Sequence, residues 1–116
     1  MLERSRVQRE QVLENELERI DAQLAKRERL YEEVRDDLVS RIKRYQQQLR
    51  QERNRGFGGS EPRREELKDQ IDELSVDLRQ ERRDFWKDRQ RLEQERRDVL
   101  RKLEELDADD IVEDLL

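Results

Sequence analysis

Apolar residues recur along this chain at alternating spacings of three and four, with charged residues between them. In the first half these positions include Leu17, Leu24 and Leu38. Such spacings place the apolar side chains on one narrow stripe of an α-helix, which is typical of the seam of a coiled coil. The pattern therefore predicts two long helices, at residues 3–54 and 62–106.

The two halves of the pattern are related by a mirror about Gly58. The residue numbers of matching apolar positions add up to 116, as for Leu49 with Leu67 and Leu38 with Leu78. One extra four-residue step, a stutter that locally unwinds a supercoil, occurs at matching places in both halves. Because antiparallel helices would bring matching positions face to face, we predict an all-α antiparallel helical hairpin coiled coil that dimerises further. Its core seam comprises Leu13, Leu17, Leu24, Leu38, Ile42, Tyr45, Leu49, Leu67, Ile71, Leu74, Leu78, Leu92, Val99 and Leu103.

Two segments depart from the helical pattern. Residues 55–61 contain all three glycines and are followed by Pro62, which suits the first turn of a helix. Since Gly-Gly-Ser is also a common engineered joint, this segment is interpreted as a Gly-rich turn or an engineered linker. Residues 107–116 alternate acids with apolar residues and are predicted to form a separate acidic, apolar tail.

Composition limits the class of protein further. Charged residues make up 51% and hydrophobic residues 31%, too little apolar material for a compact globule, while the periodicity argues against disorder. Cysteine and histidine are absent, which excludes disulfides, thiolate zinc sites and imidazole chemistry. The many carboxylates are spread over solvated faces. We therefore expect no enzyme, and no catalytic, metal-binding or cofactor-binding residues.

The same composition bears on localisation. The chain contains no apolar run long enough to span a bilayer, and residues 1–6 lack the apolar core of a signal peptide. We expect a soluble intracellular protein, cytoplasmic or nuclear.

A column of arginines on the second helix faces partly apolar positions of the first. The opposing pairs are Arg82 with Val34, Arg89 with Arg27, and Arg96 with Ile20. An arginine can lay its methylene stem along a seam and keep its guanidinium in water. The contact of Arg27 with Arg89 is unfavourable unless Glu28, Asp88 or Glu93 lies close.

An aromatic cluster is predicted near the middle of the hairpin. Leu30 and Trp86 lie outside the seam, next to Tyr31 and Phe85, and their numbers also add up to 116. Tryptophan and tyrosine are frequent anchors of protein interfaces. Two interpretations stay open: a thin but sufficient seam, or a region completed by a second copy or by another coiled-coil protein. The predicted partner interface comprises Leu30, Tyr31, Phe85, Trp86, Arg82 and Arg89.

A basic patch precedes the turn. Residues 41–55 contain six bases and one acid, whereas residues 104–116 contain seven acids and no base. A solvated helix face is the simpler interpretation, and we do not expect nucleic acid or membrane as the partner; binding of either surface is kept as an alternative function. The patch comprises Arg41, Lys43, Arg44, Arg50, Arg53 and Arg55.

With two long seams of this kind, the chain resembles long coiled-coil structural proteins, including the antiparallel arms of SMC-type proteins. In those arms the two helices come from distant parts of the sequence, whereas here a short segment joins them. The resemblance implies a spacer, a dimerisation element or a docking element in a larger scaffold such as the cytoskeleton. The alternative arrangement is a parallel dimeric rod with a flexible glycine joint, in which each helix pairs with a copy of itself.

Overall fold

The fold consists of two long helices. The computed structural model describes residues 2–55 and 61–115, without the side chains of residues 2–4, 110 and 113, and these residues contain no strand. Helix α1 spans Leu2–Asn54 and helix α2 spans Glu61–Leu115. Both are rich in Leu, Glu, Gln and Arg, which have high helix propensity, and no glycine or proline lies inside α1. The structure confirms the predicted all-α helical hairpin.

The helix ends beside the predicted turn follow from local chemistry. The Arg55 N–H donates to the Gln51 carbonyl at 3.2 Å and closes the last turn before the glycines. Helix α2 begins at Glu61, so Pro62 stands in its first turn, where its missing N–H costs no helical hydrogen bond. Of the predicted turn at 55–61, residues 56–60 lie outside the described residues.

Helix α2 continues through residues 107–115, which the sequence pattern set apart as a tail beyond a helix end at residue 106. The segment contains no glycine or proline to stop the helix. Because the helix is uninterrupted at Asp107, its N–H groups there are paired within the helix and need no new cap. The acidic segment is therefore helical in its described part.

The chain divides into two compact units, each pairing a segment of α1 with a segment of α2. Unit 1 comprises Met1–Arg27 and Lys87–Leu116, and unit 2 comprises Glu28–Trp86. In unit 1, Ile20, Leu92 and Val99 form a buried cluster. The partly buried residues packed against that cluster are Leu13, Leu17, Leu24 and Leu103.

Unit 2 has its own line of buried residues. They are Leu38, Leu49, Leu67, Leu74 and Phe85. The half-buried seam residues of the same unit are Ile42, Tyr45, Ile71 and Leu78. Every position of the predicted seam is thus buried or half-buried within its own unit.

Contacts between the helices within each unit follow the register of the sequence mirror. In unit 2 the rings of Tyr31 and Phe85 stack. In unit 1 Arg27 contacts Asp88, and a second ion pair joins Arg96 to Asp21. The residue numbers add up to 116 for the stacked rings and to within one of that value for both ion pairs, as antiparallel pairing about residue 58 requires.

Candidate interaction site

An aromatic stack joins the two helices in unit 2. The ring centroids of Tyr31 and Phe85 lie 4.3 Å apart with an interplanar angle of 11°. Phe85 is buried, and the guanidinium carbon of Arg35 lies 5.6 Å from the centroid of the Tyr31 ring, within the range of a cation–π contact. This stack joins α1 to α2 and packs beneath neighbouring side chains.

Trp86 extends the stack toward solvent. Its ring centroid lies 6.2 Å from that of Phe85 at 60°, an edge-to-face arrangement. The residue remains 51% exposed. Trp86 is therefore held by an aromatic neighbour on one side and leaves about half of its surface in water.

Leu30, the other exposed member of the predicted interface, lies on the opposite flank of unit 2. In a pair of antiparallel helices, the residue directly after a seam position lies on the same flank of the pair in both helices. The residue directly before a seam position lies on the other flank in both helices. Trp86 follows Phe85, whereas Leu30 precedes Tyr31. Because their residue numbers add up to 116, Leu30 and Trp86 lie at the same height along the pair. They nevertheless lie on different flanks, and the sum of residue numbers alone does not distinguish the two flanks.

Two further features of unit 2 display this flank rule. Gln48 precedes the seam residue Leu49, and Arg63 precedes the half-buried Arg64, three residues before Leu67. The Arg63 guanidinium donates to the Gln48 amide oxygen at 3.2 Å. Arg50 and Lys68 both follow seam residues, and they line one groove. The two flanks can therefore be treated as separate surfaces.

The three arginines of the column on α2 differ in their surroundings. The Arg96 Nε donates to Asp21 Oδ1 across unit 1 at 2.8 Å. Arg89 donates to Glu93, one turn further along its own helix, at 2.9 Å. Arg82, in unit 2, is exposed. The column is thus arranged with its guanidinium groups directed to carboxylates or to solvent.

Arg27 has the carboxylate that its position opposite Arg89 requires. Its Nε donates to Asp88 Oδ2 at 2.9 Å, and its side chain is only 16% exposed. Since Arg89 is itself paired with Glu93, each of the two facing arginines contacts an acid. Two of the three carboxylates suggested by the sequence therefore meet the two cations.

The basic patch before the turn is only partly neutralised. Arg41 lies 3.8 Å from Asp37, and Arg55 lies 3.3 Å from Glu52. The other four members have no ion pair within the described residues. They are Lys43, Arg44, Arg50 and Arg53.

Two of those four cations line a groove of about 330 Å³ between the helices of unit 2. Arg50 and Arg53 contribute from α1, Lys68 contributes from α2, and Leu49 with Ile71 supplies the apolar lining. Sequence reasoning missed Lys68. The signal that could have found it is the flank rule, because Arg50 follows Leu49 as Lys68 follows Leu67.

An exposed apolar stripe occupies the end of α2 in unit 1. Ile111, Val112 and Leu115 are spaced as one helix face, and they are 61%, 54% and 81% exposed. They stand among the acids of residues 104–115. A separate groove of about 510 Å³ in the same unit is lined in part by Val12, Leu13 and Leu106.

Neither helix, over its described residues, contains a stretch both long and apolar enough to cross a bilayer. The same residues contain no group of three or more carboxylates arranged to hold a metal ion.

Comparison with protein families gives a match over the whole chain. The model of the family described as "Family of unknown function (DUF8104)" matches residues 1–116, which is the whole chain. No curated protein and no solved structure matches.

Proposed function

Because the chain belongs to the DUF8104 family, whose description names no activity, we propose a function from the geometry: a non-enzymatic helical-hairpin module that self-associates and serves as a spacer or docking element in a larger scaffold. The observation that carries the proposal is the half-exposed Trp86 supported by the stacked pair of unit 2. The partner of that surface is a second copy of the chain.

The absence of an enzymatic role is part of the proposal and is supported by composition. Histidine, cysteine and threonine are missing, so the common nucleophiles and bases reduce to four serines, two tyrosines, five lysines and the carboxylates. None of the carboxylates whose side chains the structure describes is buried. Charged helices with one thin seam are better suited to holding a distance or presenting a face than to enclosing a substrate.

Covering Trp86 would contribute substantially to association. A tryptophan side chain has about 250 Å² to bury, and half of it is already covered in unit 2. Burying the other half, about 125 Å², would stabilise the complex by about 3 kcal/mol for each Trp86 at about 25 cal/mol per Å². That value is in the range of an interface hot spot.

The chain contains one tryptophan, so its fluorescence reports on this site alone. We expect the emission of Trp86 to shift to shorter wavelength, and acrylamide quenching to decrease, as protein concentration rises. Sedimentation equilibrium over the same concentrations should show a monomer–dimer transition.

A matched pair of variants separates this surface from general hydrophobicity. Val76 is also 51% exposed and lies on the same helix and in the same unit as Trp86. Trp86→Gln should weaken dimerisation by about 100-fold or more, while Val76→Gln should leave it unchanged. A chain that stays monomeric, with Trp86 freely quenched at every concentration, would refute self-association and leave another coiled-coil protein as the partner.

A further inference from the structure

The chain carries complementary charges in two distant stretches. Residues 41–55 contain six bases and one acid, and residues 104–116 contain seven acids and no base. The first stretch lies in unit 2 and the second in unit 1. Since both stretches belong to every copy of the chain, each copy offers one surface of each sign to its neighbours.

The basic stretch forms a groove rather than a flat face. Arg50, Arg53 and Lys68 line it together with the apolar side chains of Leu49 and Ile71. The remaining lining residues are Gln46 and Asp72. Within the described part of the chain Arg50 and Arg53 have no carboxylate at ion-pair distance, while Lys68 lies 3.3 Å from Glu65. The groove therefore combines an apolar surface with cations that can form ion pairs with further carboxylates.

The acidic stretch has the corresponding chemistry. Ala108, Ile111, Val112 and Leu115 follow at the spacing of one helix face, and acids occupy the positions around them. These four residues are exposed. An amphipathic acidic helix of this kind gains by placing its apolar face on an apolar groove with a basic rim.

We propose that the acidic end of α2 in one copy docks on the basic groove of unit 2 in a second copy. Charge complementarity selects this occupant: pairing two acidic ends with each other would oppose seven acids with seven more. This contact goes beyond the Trp86 interface and uses different residues. Because one patch meets a different patch, each copy can use its acidic end and its groove at once, and docking then gives a reciprocal dimer, a ring or a longer chain of molecules.

The proposed contact joins one groove to the last turns of one helix, so we expect association to require high protein concentration and low salt. Sedimentation velocity should show larger species as concentration rises. The same species should diminish between about 0.05 and 0.5 M NaCl, because salt screens the charges on the rim of the groove. All chains in this test carry Trp86→Gln, so that the interface proposed above contributes nothing and either proposal can fail alone.

Two variants block the two surfaces separately. The groove variant carries Arg50→Glu, Arg53→Glu and Lys68→Glu, and the end variant carries Ile111→Gln, Val112→Gln and Leu115→Gln. All six positions are exposed, so far-UV circular dichroism should remain that of the parent. Each variant alone should lose association by at least about 100-fold. Mixed together they should form a 1:1 complex that grows no further, because one supplies the only intact groove and the other the only intact end.

A control variant changes charge by the same amount elsewhere, with Arg29→Glu, Arg83→Glu and Lys87→Glu at exposed positions. It should associate like the parent. Loss of association in this control would show that net charge, rather than the groove, causes the loss in the groove variant, and would overturn the proposal. Undiminished association of the groove variant, or a mixture that remains monomeric, would also overturn it. So would a parent chain that stays monomeric yet binds a short DNA duplex or phosphatidylserine vesicles through Arg50 and Arg53.

Discussion

We predict that the methylene stem of Arg96, rather than its charge, stabilises the core of unit 1 around Ile20. Ile20 is fully buried in the cluster with Leu92 and Val99, although the register places Arg96, not an apolar residue, opposite it. The Arg96 guanidinium is occupied by Asp21. We therefore predict that Arg96→Met leaves stability almost unchanged, whereas Arg96→Ala is destabilising.

The size of the effect follows from the exposure of the two side chains. Three buried methylenes contribute about 2.4 kcal/mol at about 0.8 kcal/mol each, and the Arg96 side chain is 42% exposed, which reduces the contribution to about 1.4 kcal/mol. The ion pair with Asp21 is half in water and contributes about 0–1 kcal/mol. Arg96→Ala should therefore cost about 1.4–2.4 kcal/mol, and Asp21→Asn no more than about 1 kcal/mol.

Urea unfolding followed by far-UV circular dichroism measures these differences, at a protein concentration low enough to keep the chain monomeric. The slope of the transition should stay the same among the variants, so that shifts of the midpoint report stability. Equal destabilisation by Arg96→Met and Arg96→Ala would contradict the argument and assign the support to the ion pair.

Three other changes have defined outcomes in the same unfolding assay or in sedimentation. Asp88→Ala should cost about 1–2 kcal/mol, because it removes the carboxylate that pairs with the mostly buried Arg27. The control Asp36→Ala, in an exposed ion pair, should cost less than about 0.5 kcal/mol. Equal costs of the two changes would argue against the role of Asp88. Phe85→Ala should cost about 3 kcal/mol, since it opens a cavity beneath a stacked ring, and a loss below about 1 kcal/mol would show that the stack is not part of the core. Leu30→Gln should change neither unfolding nor dimerisation by more than about twofold, because Leu30 is exposed on the flank opposite Trp86; a strong loss of dimer would place the interface on the Leu30 flank instead.

The sequence predicted the helices and their register because a coiled-coil seam is a one-dimensional pattern. Leu67 and Leu74 are buried where the spacing placed them. The pattern alone did not predict that Ile20 is fully buried, because its burial depends on how Leu92 and Val99 pack around it. The end of α2 could not be predicted either, since the acids around Asp107 favour a helix start as much as a helix continuation.

The interaction surfaces were harder to predict because they depend on which flank a residue occupies. The sums of residue numbers grouped Leu30 with Trp86, although one precedes and the other follows its seam neighbour. The same limit hid Lys68, which joins Arg50 only when both helices are considered together. Residue type alone identified the candidates, and the antiparallel geometry assigned them to surfaces.

The measurement that tests the account most directly is a distance within one chain. The chain contains no cysteine, so Glu14→Cys with Lys102→Cys, two exposed positions of unit 1, gives one pair of spin labels. Labelled protein diluted into excess unlabelled protein reports only distances within a molecule. The hairpin predicts about 20–30 Å, from helix axes about 10 Å apart and the length of the labels. A parallel rod would place the labels about 130 Å apart at about 1.5 Å per residue, and the loss of the short distance would contradict the hairpin.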